Sequence, residues 1–478
     1  MKNFLFLCCF SATILGINSC ATNPVTGKSQ MVLMSEEQEI QMGKEADPQI
    51  IQQFGLYNDQ ALQTYIDQLG QQLVKVSHRP NIEYHFRVLN SEVVNAFAVP
   101  GGYVYFTRGI MGYLNDEAEF AGVLGHEIGH ITARHTVAQQ RNAMLGQIGI
   151  LAGMVLSPTI AQFGEALSQG YSLLLLKYGR DAERQSDDLG VEYSSKLGYD
   201  AQRMADFFQV LEKMGEESGQ ELPTFLSTHP NPGDRYNTVK KKAAEMKQQL
   251  NITNPKVNRD TYLRKIDGIL FGEDPKEGFM QNGVFYHPDL RFQFTPPSNW
   301  NYANSPTQVQ FASPDGRALM ILTTGQGNSL QEAANAFVQQ YQMQVVGSQQ
   351  TTINGMPALQ VQANLQQQQG VLSTLSYFIQ YNNAIYHIMG VTAAADMNSY
   401  GNIFVNSANS FRQLTDQAII NKKPERIRIK TVNSAMTLQQ ALSNNGVPSA
   451  RMHEHSLVNG MELNTPLAAG TLIKVISQ

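Results

Sequence analysis

Two histidines four residues apart constrain this chain more than any other feature. In His126-Glu127-Ile128-Gly129-His130 the two imidazoles project from one side of a helix and can share one metal ion. A strand could not present them this way. Glu127 lies between them, placed to reach a water beside the metal, as a general base for peptide hydrolysis would be. Three specified positions match by chance at about the one-per-cent level on ordinary composition, so the surrounding sequence has to support the reading.

It does so first through helix signals. From Asn115 the chain runs N-D-E-A-E-F-A-G-V-L-G-H-E-I-G-H, a capping-type Asn followed by three acids in the first turns, where the helix dipole favours negative charge. Phe120, Val123, Leu124, Ile128 and Ile131 recur at helical spacing and predict an amphipathic helix with one core-facing stripe. Gly125 and Gly129 each cost such a helix about 1 kcal/mol relative to Ala. A backbone or a ligand passing close by would explain both, and a packing contact would explain them equally well.

A catalytic zinc takes three protein ligands and leaves a fourth place open, so a carboxylate on a second helix is expected downstream. Y-G-R-D-A-E-R-Q-S-D-D-L-G supplies Glu183 and Asp187 on one helix face. Glu183 would bind the metal and Asp187 would orient a histidine ring from behind. Taken alone, the same pattern also describes a solvated charged face.

Two further segments read as local structure. Pro100-Gly101-Gly102 followed by Tyr103-Val104-Tyr105-Phe106 is a turn leading into a strand, and an edge strand near a metal site can pair with an extended peptide. A plain hairpin satisfies the same residues. His229 precedes Pro230, which pushes its backbone towards an extended conformation and ends any helix there.

Taken together these motifs resemble a known family. H-E-I-G-H and E-R-Q-S-D, preceded by N-A-F-A-V-P-G-G-Y-V-Y-F at Asn95 to Phe106 and followed by S-T-H-P-N-P-G-D-R at Ser227 to Arg235, are similar to the zinc metallopeptidases related to the CAAX prenyl protease and HtpX. The likeness is strongest to their soluble lipoprotein branch and covers roughly residues 21 to 245. It implies a zincin-type fold with one Zn2+ per chain, Glu183 as third ligand beside His126 and His130, and Asp187 behind them. Ser186 stands where that family usually has Ala. The resemblance also brings His229 and Arg235 to the active site, with Tyr103, Val104, Tyr105 and Arg235 expected to hold substrate. For His229 two roles stay open: a latch in the fourth coordination place, or a donor to the tetrahedral intermediate.

The leader suggests a location. Lys2 and Asn3 precede an apolar core, F-L-F-L-C-C-F-S-A-T-I-L-G-I, that is typical of a secretory signal and short for a membrane span. Ile17-Asn18-Ser19-Cys20 resembles a bacterial lipobox, with Asn18 departing from the usual small residue. Cys20 would then carry the lipid anchor, and the lack of an aspartate after it resembles lipoproteins sent to the outer membrane. Cys8, Cys9 and Cys20 are the three cysteines, so the mature chain has no pair for a disulfide and a metal must be held by His and Glu. A net charge of −5 gives no basic field for nucleic acid. Neither a phosphate loop nor a dinucleotide fingerprint is evident.

Composition shifts divide the chain. Residues 1–19 read as signal peptide and 20–250 as a mainly helical metallopeptidase domain with a small sheet. Within it Ser35 opens a helix with a capping box, Leu62, Tyr65, Ile66, Leu69 and Leu73 mark a second, and Tyr84 to Leu89 a strand. Ala143 to Phe163 is uncharged and broken by Pro158, and we read it as a helical hairpin forming a lid. Residues 251–284 form a linker with one short helix. Residues 285–420 alternate β-rich runs with turns around a helix at Leu330 to Met343, a small α+β domain without evident chemistry. Residues 424–478 resemble a LysM module, which would bring peptidoglycan in as a partner or be a structural copy. The expectation is an α+β chain acting as a lipid-anchored, periplasm-facing zinc endopeptidase on misfolded or misassembled envelope proteins. The rival expectation is a chaperone-like or cell-wall-binding lipoprotein with a closed peptidase site.

Overall fold

In the computed structural model, the described residues are 20–27, 29–31, 34–135, 150–151, 154–155, 160, 178–218, 224–229, 235–367 and 370–478. Residues 1–19, expected to be a signal peptide, and Pro158, Pro230 and Pro232 lie outside them.

A short hairpin of β1 (Cys20–Thr22) and β2 (Ser29–Met31) precedes α1 (Glu36–Phe54). The expected capping box is present: the Ser35 side chain accepts from the Gln38 amide and the Gln38 side chain from the Ser35 amide. In α2 (Gln60–Lys75) the five apolar residues singled out in the sequence are all buried. The strands β3 (His85–Leu89), β4 (Ala96–Val99) and β5 (Tyr103–Thr107) form a sheet in the order β3-β5-β4. β5 is parallel to β3 and antiparallel to β4. Tyr103, Val104 and Tyr105 therefore sit in the central strand, with β3 and β4 at the two edges. The expected edge position fails because β3, the strand just before the hairpin in sequence, pairs parallel with β5 on the side that β4 leaves free.

After α3 (Arg108–Tyr113) comes α4 (Glu117–Thr132), which carries the histidine motif. Its cap is Asp116 rather than Asn115: the Asp116 carboxylate accepts from the Glu119 amide at 2.8 Å, and Glu119 accepts from the Asn115 amide at 2.6 Å. Nor is α4 amphipathic, since every residue in it is buried. It is a central helix enclosed by α2, β4, α5 (Arg180–Lys196), α6 (Arg203–Ser218) and α9 (Arg259–Lys265). Between α4 and α5, β6 (Ile150–Leu151) pairs antiparallel with β7 (Met154–Val155), so this part of the expected helical hairpin is strand. The rest of residues 143–163 lies outside the described residues, Ile160 excepted. α7 (Thr224–Thr228) and α8 (Arg235–Gln249) complete the helical region. Among the described residues no helix is long and apolar enough to cross a membrane.

Beyond α9 and β8 (Leu270–Phe271) the chain builds two more sheets. β9 (Phe279–Gln281), β10 (Val284–His287) and β11 (Phe292–Phe294) join a strand at Arg412–Gln413 in one of four strands. Asn301 to Ala393 forms an antiparallel seven-stranded sheet, with a helix at Leu330–Gln340 on one core and one at Met397–Asn409 on the other. The last segment returns to the first domain. Its strands at Glu425–Thr431 and Leu472–Ser477 pair with each other, and the first of them also with β8. Ile427, Val458, Leu472 and Ile476 share one core with Phe120 and Tyr262. Lys474, fully buried, donates to the carbonyl oxygens of Gly112, Leu114 and Val458 at 2.8, 2.6 and 2.8 Å. A buried ammonium needs such partners, and two of its three come from the end of α3 and the residue that follows it.

Candidate metal centre

Glycines bring the two metal helices together. A Cβ on Gly125 would stand 3.1 Å from the Cα of Gly190, and one on Gly129 would stand 3.3 Å from the Cα of Ser186. The close backbone expected from the sequence is thus α5. That approach allows side chains on both helices to point into one narrow seam.

His126, His130, Glu183 and His229 converge there, each offering one ligand atom, all within 4.8 Å of one another. The Nε2 atoms of His126 and His130 are 3.0 Å apart, and they lie 3.7 and 3.5 Å from the Glu183 carboxylate. His229 Nδ1 is 3.3 Å from His126 Nε2 and 3.1 Å from Glu183. Ligands at zinc bond lengths in a tetrahedron stand about 3.3 Å from each other, so the spacing fits. The Glu127 oxygens and Glu183 Oε2 are buried without a hydrogen-bond partner among the described residues. Such groups are costly unless something else satisfies them.

Charge follows the same arrangement. Burial, then His126, His135 and His229, hold His130 well below the usual histidine range, leaving it neutral with a lone pair to give. Burial pushes Glu183 up, yet His229, His126 and Arg235 outweigh it and keep the carboxylate ionised. Burial raises Glu127 against the pull of His229 and His126, which suits a proton acceptor. Behind this donor group, Asp187 Oδ1 lies 2.9 Å from His126 Nδ1, near enough to orient that ring. Arg235 holds Asp187 through two bonds of 2.8 and 2.6 Å and approaches Glu183 at 3.4 Å. Burial alone would raise Asp187, but Arg235 and His126 bring it to about 2. Arg235 is itself buried over the Phe208 ring, so it supports the ligands instead of facing substrate as expected.

The outer edge of β4 is occupied by the protein's own groups. The Val94 carbonyl accepts from the Phe225 amide at 3.0 Å, the Ala96 carbonyl from His229 Nε2 at 3.3 Å and the Ala98 carbonyl from the Tyr178 hydroxyl at 3.3 Å. Tyr178 also stacks on His130, with ring centroids 3.8 Å apart. Tyr178 was not singled out in the sequence, and β4 entered it only as part of the motif from Asn95 to Phe106, not as the edge strand. The alternation of Val94, Ala96 and Ala98 could have marked the strand's free side.

Residues 60–243 match the model of peptidase family M48. That stretch is similar to an M48 metallopeptidase domain. Its similarity to named members agrees: 31% identity over 256 residues to the beta-barrel assembly-enhancing protease of Escherichia coli O157:H7, covering 52% of each chain. The Yersinia pestis protein of the same name is 32% identical over 234 residues, covering 47% of this chain and 48% of its own. The mitochondrial metalloendopeptidase OMA1 of Arabidopsis thaliana is 31% identical over 177 residues, covering 37% of this chain and 35% of its own. The chain thus spans about half the length of the first two relatives.

Proposed function

We propose that this protein is a zinc endopeptidase of the bacterial cell envelope, anchored through an acylated Cys20, that hydrolyses peptide bonds in misfolded or misassembled envelope proteins. The observation that carries the catalytic part is the convergence of His126, His130 and Glu183 beside a buried Glu127 whose oxygens accept no hydrogen bond among the described residues. When bound, zinc supplies Lewis acidity to a peptide carbonyl and a nucleophilic water. Glu127, buried beside the donor group, would accept a proton from the attacking water and return it to the leaving amine. Asp187 and Arg235 keep His126 and Glu183 in place. β4, rather than β5, offers backbone groups to an extended substrate.

The closed state is part of the proposal. His229 lies within the ligand group and on the β4 edge at once, so it acts as a latch that must swing away before a substrate strand can pair. A site closed in this way also suits the rival reading, a chaperone-like lipoprotein whose peptidase is idle. For residues 424–478 we favour a supporting role over peptidoglycan binding, because Lys474 spends its charge on carbonyls around α3.

The envelope substrate class rests on the names of the relatives. Incubation of the purified protein with an unfolded outer-membrane β-barrel polypeptide tests it: fragments with wild type and none with Glu127→Gln are expected. Binding of the polypeptide without cleavage, zinc being present, would select the chaperone reading. Cys20→Ser should abolish acyl labelling and release the protein from the membrane; unchanged labelling would overturn the anchor.

A further inference from the structure

The exit from α4 is built with unusual care. Arg134 takes a φ of 58°, a left-handed conformation uncommon outside glycine. Its guanidinium donates to Glu39 at 2.9 Å and to the Met34 carbonyl at 3.0 Å. Arg79 donates to the same buried carboxylate at 2.9 Å and to the Ile131 carbonyl at 3.2 Å. A glutamate of α1 therefore pins the turn after α4, and the next residue, His135, folds back against the helix it has just left.

His135 Nδ1 lies 3.2 Å from Nδ1 of His130, and its Nε2 lies 2.9 Å from Oε1 of Gln185. Ser186 Oγ approaches His135 Nδ1 at 3.2 Å. These contacts specify proton positions. The Gln185 oxygen can only accept, so His135 carries its proton on Nε2 and presents a lone pair on Nδ1. His130 must then donate from Nδ1, which leaves the lone pair of its Nε2 facing His126 and Glu183.

We propose that His135, held by Gln185 and Ser186, is a positioning residue for the metal ligand His130. It fixes the tautomer and ring orientation of His130 as Asp187 does for His126, so each α4 histidine has its own partner behind it. Gln185 and Ser186 lie between Glu183 and Asp187, so one turn of α5 serves both imidazoles. The hydroxyl of Ser186 adds a second contact to His135. This rests on the zinc assignment above.

The test is zinc affinity by chelator competition, with the visible spectrum of the cobalt-substituted protein, on the full chain. His135→Leu should bind zinc about 10- to 100-fold more weakly, and its cobalt bands should shift. His135→Asn, whose amide oxygen can replace Nδ1 as acceptor, should recover most of the affinity. Gln185→Glu, which leaves the imidazole in place, should bind at least as tightly as wild type, and Gln185→Met more weakly. Wild-type affinity and spectrum in His135→Leu would overturn the proposal, as would His135→Asn behaving no better than His135→Leu, or Gln185→Glu weakening the site. Should His135→Leu fail to fold, the Gln185 pair decides alone. Failure of wild type to bind zinc would instead sink the metal site itself.

Discussion

Gly190 on α5 and His126 on α4 meet backbone to backbone: a Cβ at Gly190 would lie 3.0 Å from the His126 nitrogen and 2.8 Å from the Gly122 carbonyl oxygen. Ala at a helical glycine ordinarily gains about 1 kcal/mol, while overpacking costs about 1–3 kcal/mol. Here the second effect wins, because both contacts are backbone and cannot rotate away. Gly190→Ala should lower the thermal midpoint and weaken zinc binding together. Gly401→Ala, whose Cβ would meet only the side chain of Met397 at 3.5 Å, should be neutral or stabilising. Equal midpoints for the two variants would show that the helix seam is not tight.

His229→Ala separates its two roles by sign. With Nδ1 among the ligands and Nε2 on the Ala96 carbonyl, His229 closes the site, and its removal should leave zinc bound and raise cleavage of an unfolded substrate. A donor to the tetrahedral intermediate would instead lose about a hundredfold or more in turnover. Steady-state cleavage rates with parallel zinc analysis decide between them.

Three of the four clustered donors were legible in sequence because helical spacing fixes which side chains share a face: His126 and His130 on one helix, Glu183 with Asp187 on the next. What escaped is what spacing does not encode. The seam closes through Gly125 and Gly190, whose partners are far apart in sequence. Arg235 turns inward because Asp187 is waiting there, which no local pattern states. The ten-residue strand Gln344–Ile353 was missed because it is an exposed edge, so its residues alternate no buried face. Asn115 lost the cap to Asp116 by a one-residue shift of the kind that helix boundaries tolerate.

The second domain should respond to acid through His387. That imidazole is buried, stacked on Phe378 at 4.2 Å and 2.9 Å from Ser376 Oγ, and burial brings it down to about 3. The folded state therefore favours the neutral ring. Its contribution is complete above the unfolded value near 6.5 and is lost as the pH falls from there towards about 3. Stability should drop by about 1.4 kcal/mol per pH unit from this group alone. His387→Phe should remove that share of the slope in urea unfolding between about pH 6 and 4. An unchanged slope would place the acid sensitivity elsewhere.

Metal content and cleavage measured on the same preparations test the central claim most directly. Wild type and Glu127→Gln should each hold one zinc per chain, with cleavage of an unfolded polypeptide lower by several orders of magnitude in the variant, because the ligands remain and the proton acceptor is gone. Glu183→Gln should lose zinc affinity, since a neutral amide replaces a ligating carboxylate. Full cleavage by zinc-bound Glu127→Gln, or unchanged zinc affinity in Glu183→Gln, would contradict the account.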